Sequence, residues 1–510
     1  NPRIKQIDGR LLPFGFLRLL SNRREIKKIR LISTNVVPEF QLMGIGLLLM
    51  HGMVPLAMQW EIEEAEFSWV MESNSFSRGS LEKGGAKRTK TYRLYDRDDP
   101  QPAESILARS RHESQQRRHA ASSAVSLAGP LAIRRVQGRA DLNRFVRMPY
   151  PIYTADPHWV APLEIDVKEF LNPKKHPFLQ HGEAAQFLAM RGKTPVGRIL
   201  VSDDPRYNRQ YGKNAGCFGM FESVDDTEVA HGLLETAADW LRGRGRDTIM
   251  GPIDYSTNYP CGLLVDGFDT PPRVMMNHNR PYYAELLESW GLSKAKDLYC
   301  WWFTGKGELL QKWQSRVERI TRRTRVTIRP FRPHDFDEEV RRCREIYNEA
   351  LRENWGFVDL TEAEFQGAAK RFMSITPPDL ALIAEVDGRM VGFSVTVPDL
   401  NEMIRPLRGR LTNRGLPVNL ARFLYRKPRV KVGRMMVLEV LKQYRRRGIA
   451  EALILKTFEY GKNSLGFTGA ELGWTLEDND AVNRTIEAVG GRHYKTYRIY
   501  DKPLSPAAPA

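Results

Sequence analysis

Two short loops in this chain have a spelling suited to holding an anion. Arg445-x-x-Gly448-x-Ala450 follows a strand rich in valine and leucine and opens a helix, and Gln41-x-x-Gly44-x-Gly46 follows a second strand-like stretch. A turn that frees several backbone N–H groups, backed by the positive end of a helix dipole, can cradle a pyrophosphate. Gly448 lets the backbone approach the oxygens, and Ala450 keeps the turn narrow. Neither loop reads G-x-x-x-x-G-K-[ST], which argues against a nucleoside triphosphate, and neither has the third glycine of a dinucleotide fold. The same side chains stand downstream of each loop: Glu471, Trp474, Glu477 and Asn479 in one case, Glu66, Trp69, Glu72 and Asn74 in the other. Metal chemistry has no comparable support. The four cysteines form no C-x-x-C pair and the ten histidines no H-E-x-x-H, so no metal ligand set is assigned.

The loops recur because the chain repeats itself. TKTYRLYD ends at Asp96 and YKTYRIYD at Asp501, while EFSWVMESN (66–74) aligns with ELGWTLEDN (471–479). Further back, GRLLPFGFLRLL (9–20) meets GRLTNRGLP (409–417). Residues 1–96 therefore repeat only the last part of a longer copy, from the equivalent of Asn401, and read as half a module. A fused or misread neighbouring gene explains them as well as a designed second site does. Residues 97–130 are polar, rich in Ser, Ala and Arg, and read as a flexible linker. The long copy splits into 131–325 and 326–504, followed by a tail, 505–510. Strands and helices interleave in the same order in both parts, with hairpin turns at Gly192-Lys193 and Asp387-Gly388. That order predicts a mixed α/β sheet in each part.

In this frame the pattern [QR]-x-x-G-x-[GA], the strand after it, Asn479 and Gly490 resemble the GNAT superfamily of acyl-CoA N-acyltransferases. The resemblance covers 326–504 best, 1–96 in part, and 131–325 more weakly, where EVAHGLL stands in place of the loop. It implies an α/β fold: a mixed sheet splayed between its fourth and fifth strands, flanked by helices, with acyl-CoA as co-substrate in the splay. Backbone amides of Arg446, Arg447, Gly448, Ile449 and Ala450 would hold the pyrophosphate, with Arg445 beside them and Asn479 nearby. Backbone around Leu438 and Val440 would pair with the pantetheine and polarise the thioester. Gln41, Gly44 and Gly46 would be the second-copy loop. An amine attacks directly in this family, and alkylammonium groups titrate near 10, so a side chain must take a proton. Glu477 is the first choice for that base, although a carboxylate there also suits the N-terminus of the next helix. Glu439 and Glu471 are the further candidates. The tyrosine that many members use to protonate the thiolate is replaced by Ile486, and by Leu81 in the short copy. Asn258, Asn277, Asn279, Tyr282 and Tyr283 cluster around predicted turns, where turn chemistry and acceptor contacts are both open.

Lys and Arg number 78 against 61 Asp and Glu, a net charge of +17 that needs a partner. Basic residues concentrate in 316–332 and in 405–431, where they interleave with Leu407, Leu411, Leu416, Phe423 and Leu424. Mixed basic and apolar segments suit an anionic lipid surface better than a nucleic-acid groove. With the double-module layout, this gives a looser similarity to bacterial ceramide synthases, which acylate a long-chain amine. The apolar run from Phe40 to Trp60 has the length of a membrane span, about 20 residues, but glycines and a proline interrupt it. The chain opens on polar NPRIKQIDGR with no signal-peptide pattern, and the cysteine usage fits a reducing compartment. The expectation is a cytoplasmic, membrane-peripheral N-acyltransferase. A non-catalytic CoA-binding protein and a basic RNA-binding protein on the same fold are the alternatives.

Overall fold

The computed structural model describes residues 129–304, 326–411 and 430–504, with 28–31, Met58, 64–67, Ser315, 317–319, Arg322, 324–325 and Asn419. Outside this set lie the rest of the apolar run 40–60, the second-copy loop residues Gln41, Gly44 and Gly46, most of 97–130 and much of 412–429. The chain divides into two compact units, 1–108 and 109–510.

In the first unit, β1 (Lys28–Leu31) and β2 (Glu64–Phe67) pair in parallel, with Arg30 opposite Glu66. In the second unit Arg434 lies opposite Glu471 in another parallel pair. The aligned residues of the two copies thus meet in the same register.

The second unit is built on one continuous mixed sheet. Its first module contributes β3 (Leu131–Arg135), β4 (Glu183–Arg191), β5 (Thr194–Asp203), β6 (Ala215–Ser223), β7 (Thr248–Gly251), β8 (Leu263–Asp266) and β9 (Ser293–Phe303). The second contributes β10 (Val326–Pro330), β11 (Ala381–Val386), β12 (Arg389–Pro398), β13 (Val432–Val440), β14 (Gly469–Leu476) and β15 (Arg492–Pro503). The hairpin turns fall where the sequence places them, with Gly192 at φ 57°, Asp387 at φ 50° and Gly388 at φ 75°. Positive φ matches the twist of tightly turned strands and suits glycine and aspartate.

The expectation of a separate sheet in each module needs correction. The spatial order is β10-β11-β12-β13-β14-β9-β15-β7-β6-β5-β4-β3, with β8 also beside β15. The last strand of the first module lies in the second module, and the last strand of the second reaches back to β7. Where β9 and β15 meet, Arg498 clamps Asp297 with two bonds of 2.8 and 3.0 Å. Leu298, Cys300, Tyr497 and Ile499 are buried there.

Six helices matter for the site: α1 (Gly138–Arg147), α2 (Thr227–Arg242), α3 (Phe336–Leu351), α4 (Glu362–Met373), α5 (Ile449–Leu465) and α6 (Asp480–Ala488). Helix α4 starts with a reciprocal capping box between Thr361 and Glu364, which satisfies two of the orphan N–H groups of its first turn. Glu364 also accepts from Tyr259 at 3.0 Å and lies 3.4 Å from His181, so the first module anchors this helix. Among the described residues no helix is long and apolar enough to cross a membrane.

Candidate active site

The splay forms where two parallel strands lose each other. β13 and β14 pair from Val432↔Gly469 to Met435↔Leu472 and then separate. β14 continues on β9 as far as Leu476, and β13 continues on β12 as far as Val440. Both outer ladders shift register at this level, between Val395 and Thr396 and between Leu472 and Trp474. Such bulges bend a strand and re-aim its side chains. Gly473 stands at the fork, where a Cβ would come within 3.2 Å of the Met435 carbonyl oxygen.

A cavity of about 440 Å³ opens between the parted strands. Leu438, Ala450, Ile454 and Ile486 line its α5 side, and Tyr347, Phe365, Phe372 and Phe393 its α3–α4 side. Phe393 and Val437 belong to the cluster built on α3 and α4, whereas Ile449, Leu453 and Leu438 pack on the opposite face. The space therefore passes through the sheet. Ser394, fully buried on its wall, has a hydroxyl without a hydrogen-bond partner among the described residues.

The predicted anion loop opens helix α5. Helix α5 is capped by Gly448 at φ 75°, with no side chain closing its first turn, and Arg446 also takes a positive φ of 62°. Its first N–H groups are thus free of any carboxylate cap, and Arg445, Arg446 and Arg447 are exposed around them. Arg447 stacks on Tyr444 at 5.1 Å. Arg445 is engaged differently: its Nε donates to the Val440 carbonyl at 3.0 Å and Nη2 to the Ala350 carbonyl at 2.8 Å. The first module contrasts sharply. There the Asp226 carboxylate accepts from the N–H groups of Glu228 and Val229 at 2.9 and 3.4 Å. Its own acid fills the seat that an incoming anion would need.

The three candidate carboxylates occupy three different environments. Glu477 accepts from Lys294 at 2.6 Å and from the Asp297 N–H at 3.0 Å, and does not line the cavity. Glu471 is fully buried, 2.6 Å from Arg434, and accepts from the Tyr494 hydroxyl. Burial pushes its carboxyl up while Arg434 pulls it down. Arg434 in turn donates to the Val274 carbonyl at 2.7 Å. Glu439 alone of the three faces the cavity, and no described residue gives it a hydrogen bond or an ion pair. Desolvation raises its carboxyl from 4.5 to about 8, with Arg445 opposing. Asn479 lines the cavity and caps α6, accepting from the Val482 N–H at 3.4 Å.

The turn cluster of the first module separates into two roles. Asn277, Asn279 and Tyr282 bind backbone at 2.9, 2.7 and 2.9 Å, and Tyr283 donates to Glu222 at 2.8 Å. Asn258 reaches the cavity and accepts from Tyr347 at 3.1 Å. Tyr347, Phe365 and Phe372 are not among the sequence candidates. The apolar period of 336–351, with Val340, Cys343, Tyr347 and Ala350 on one stripe, is the signal that marks this wall.

Comparison with known proteins shows what the chain is similar to. The sequence profile of the Acetyltransferase (GNAT) family matches residues 340–490. A protein of Caulobacter vibrioides (strain NA1000 / CB15N), named bacterial ceramide synthase, is 37% identical over 380 residues, covering 73% of this chain and 98% of its own length. Protein YghO of Escherichia coli (strain K12) is 34% identical over 381 residues, covering 73% and 95%. Among solved structures, a tandem GNAT protein from the clavulanic acid biosynthesis pathway superposes with a TM-score of 0.46 at 12% identity, covering 74% of this chain and 100% of that one.

Proposed function

This chain belongs to the GNAT acyltransferase superfamily, with tandem modules, and from that premise we propose that it moves an acyl group from acyl-CoA to the nitrogen of a long-chain amine. Acyl transfer in general follows from the family; the donor, the acceptor and the residue roles are our reading. The observation that carries it is Glu439, the one of the three candidate carboxylates that looks into the apolar cavity, with no partner among the described residues. A carboxyl near 8 can exchange a proton with an ammonium group at neutral to alkaline pH, which a freely solvated glutamate does far less well.

The residues then divide the work. The uncapped start of α5, with Arg446 and Arg447, suits the pyrophosphate of CoA, which supplies the activated thioester. The edge of β13 beyond Met435, left without a strand partner, suits the amide-bearing arm. Glu439 takes one proton from the acceptor ammonium, the freed nitrogen forms the C–N bond as the C–S bond breaks, and the second proton shed by the nitrogen goes to the departing CoA thiolate, which leaves as the free thiol. Aromatic side chains of α3 and α4 exclude water from the product. The length of the apolar wall favours chains over small groups, since each buried CH₂ contributes about 0.8 kcal/mol. The relative named bacterial ceramide synthase supports a lipid-like acceptor. A cytoplasmic location at an anionic membrane surface, through 405–431, fits the same substrates. Nucleic acid is not part of this reading.

Ile486, where many members carry a tyrosine, favours a second reading in which the chain binds CoA without turnover. Free-thiol release from an acyl-CoA series of increasing length, against long-chain amines and soluble polyamines, separates the two. Release that grows with chain length and needs a long-chain amine supports transfer. CoA binding with no release from any pair would leave only the second reading.

A further inference from the structure

The first module carries an acid at the register of Glu439. Arg198 lies opposite Glu222 on β5 and β6 as Phe393 lies opposite Glu439 on β12 and β13. Gly197↔Ser223 and Gly392↔Val440 flank the two pairs equivalently. The surroundings differ in hydrogen-bond polarity. Glu222 is buried among donors: the hydroxyls of Tyr153 and Tyr283 each reach its Oε2 at 2.8 Å, and Arg198 lies 3.5 Å from Oε1. That acid is fully used by the protein.

Around Glu439, Arg445 and Asn258 both direct donors at backbone carbonyls, Arg445 with two of its nitrogens. Asn258 donates from Nδ2 to the Val358 carbonyl at 2.9 Å. A carbonyl can only accept, which fixes the amide and turns its Oδ1 toward Tyr347 at 3.1 Å. The Tyr347 hydroxyl must therefore give its proton to Asn258. Once Glu439 is ionised, as a bound cation favours, lone pairs are what it, the Tyr347 oxygen and Asn258 Oδ1 offer an occupant. All three residues line the same cavity, and the charge of Glu439 acts on Tyr347 through space. A group with several N–H donors and a positive charge complements that set; a carbonyl, an ether or an alkyl end does not.

We propose that Glu439, Tyr347 and Asn258 together cradle the primary ammonium head of the acceptor, so that the first module, through Asn258, supplies part of the second module's acceptor site. The inference rests on the amine-acceptor reading above and deepens it. It also gives the loop after β7 a duty beyond packing: Asn258 is held at once by α3, through Tyr347, and by the segment that follows α3, through Val358.

Binding of dodecylamine and of dodecanol to the full chain, read from the emission of cavity-lining Trp355 and Trp474, tests the cradle without any turnover. The wild type should hold the amine about tenfold or more tighter than the alcohol, as expected for charge-assisted hydrogen bonds. Tyr347→Phe and Asn258→Leu should each bring the two affinities together by weakening the amine alone, with CoA affinity retained as the check on folding. Equal affinity for both probes in the wild type, or equal loss of both in the two variants, overturns the cradle. The two readings fail separately. Amine preference without thiol release refutes the transfer reading and leaves the cradle; thiol release with an unchanged amine KM in both variants refutes the cradle and leaves transfer.

Discussion

Glu439→Gln preserves the shape of the side chain and removes its titration, so it isolates what the carboxyl does. Moving a carboxyl from 4.5 to about 8 corresponds to roughly 5 kcal/mol against ionisation in the empty cavity. At pH 7 about one-tenth of the molecules would then carry the charged base, and at pH 9 about nine-tenths. The kcat/KM for the amine should rise along a limb centred near pH 8 that belongs to the free protein. The kcat limb should lie lower, because a bound ammonium favours the charged carboxylate. Loss of the thioester, followed directly, is the assay, and Glu439→Gln should lack the limb altogether. Stability gives an independent check with a definite sign. The folded carboxyl binds its proton more tightly than the unfolded one, so its contribution is fully present below pH 4.5 and is lost as pH rises through 8. Urea unfolding of the wild type should therefore weaken relative to Glu439→Gln across that window, by at most roughly 5 kcal/mol. A limb near pH 8 that survives in Glu439→Gln, or a stability difference that does not change with pH, refutes the assignment.

Three further outcomes can be measured. Gly448→Trp should abolish CoA binding in calorimetry, because the indole blocks backbone approach at a residue with φ 75°, while the circular dichroism of the fold is kept. Glu471→Ala should cost about 3–5 kcal/mol in urea unfolding by leaving the Arg434 guanidinium buried and unpaired, and Glu471→Gln, which keeps an acceptor for it, should cost less. Residues 109–510, which form a compact unit of their own, should retain thioester turnover when 1–108 are removed; activity that returns only on adding the missing unit would show that the short copy completes the site.

The local features were legible because their causes are local. The form of the anion loop depends on Gly448 and the helix that follows it, and the hairpin turns depend on Gly192 and on Asp387 with Gly388. The cap on α2 was legible in principle too, since Asp226 immediately precedes the helix that starts at Thr227. What could not be read depended on partners far along the chain. Glu477 is drawn to Lys294 and Asp297, which belong to the other module. Glu439 has no ion-pair partner among the described residues, and Arg445 turns instead to the carbonyls of Ala350 and Val440. Residues 336–373 carry the apolar spacing of helices, but nothing in that spacing says that they wall a cavity rather than fill a core. The exchange of β9 and β15 was hidden for the same reason: either strand satisfies either sheet edge by pattern alone.

That exchange has a consequence for how the molecule comes into being. β7 has β15 for a neighbour, and β14 has β9, so strands about 250 and about 170 positions apart in sequence must meet before either half is closed. Contacts of such separation form slowly, because the loop between them must be ordered first. During synthesis the first module waits, with an open edge at β7, for a strand made about 250 residues later. A cut between the modules would take β15 from β7 and β9 from β14, and exposed edges of that kind pair with whatever they meet.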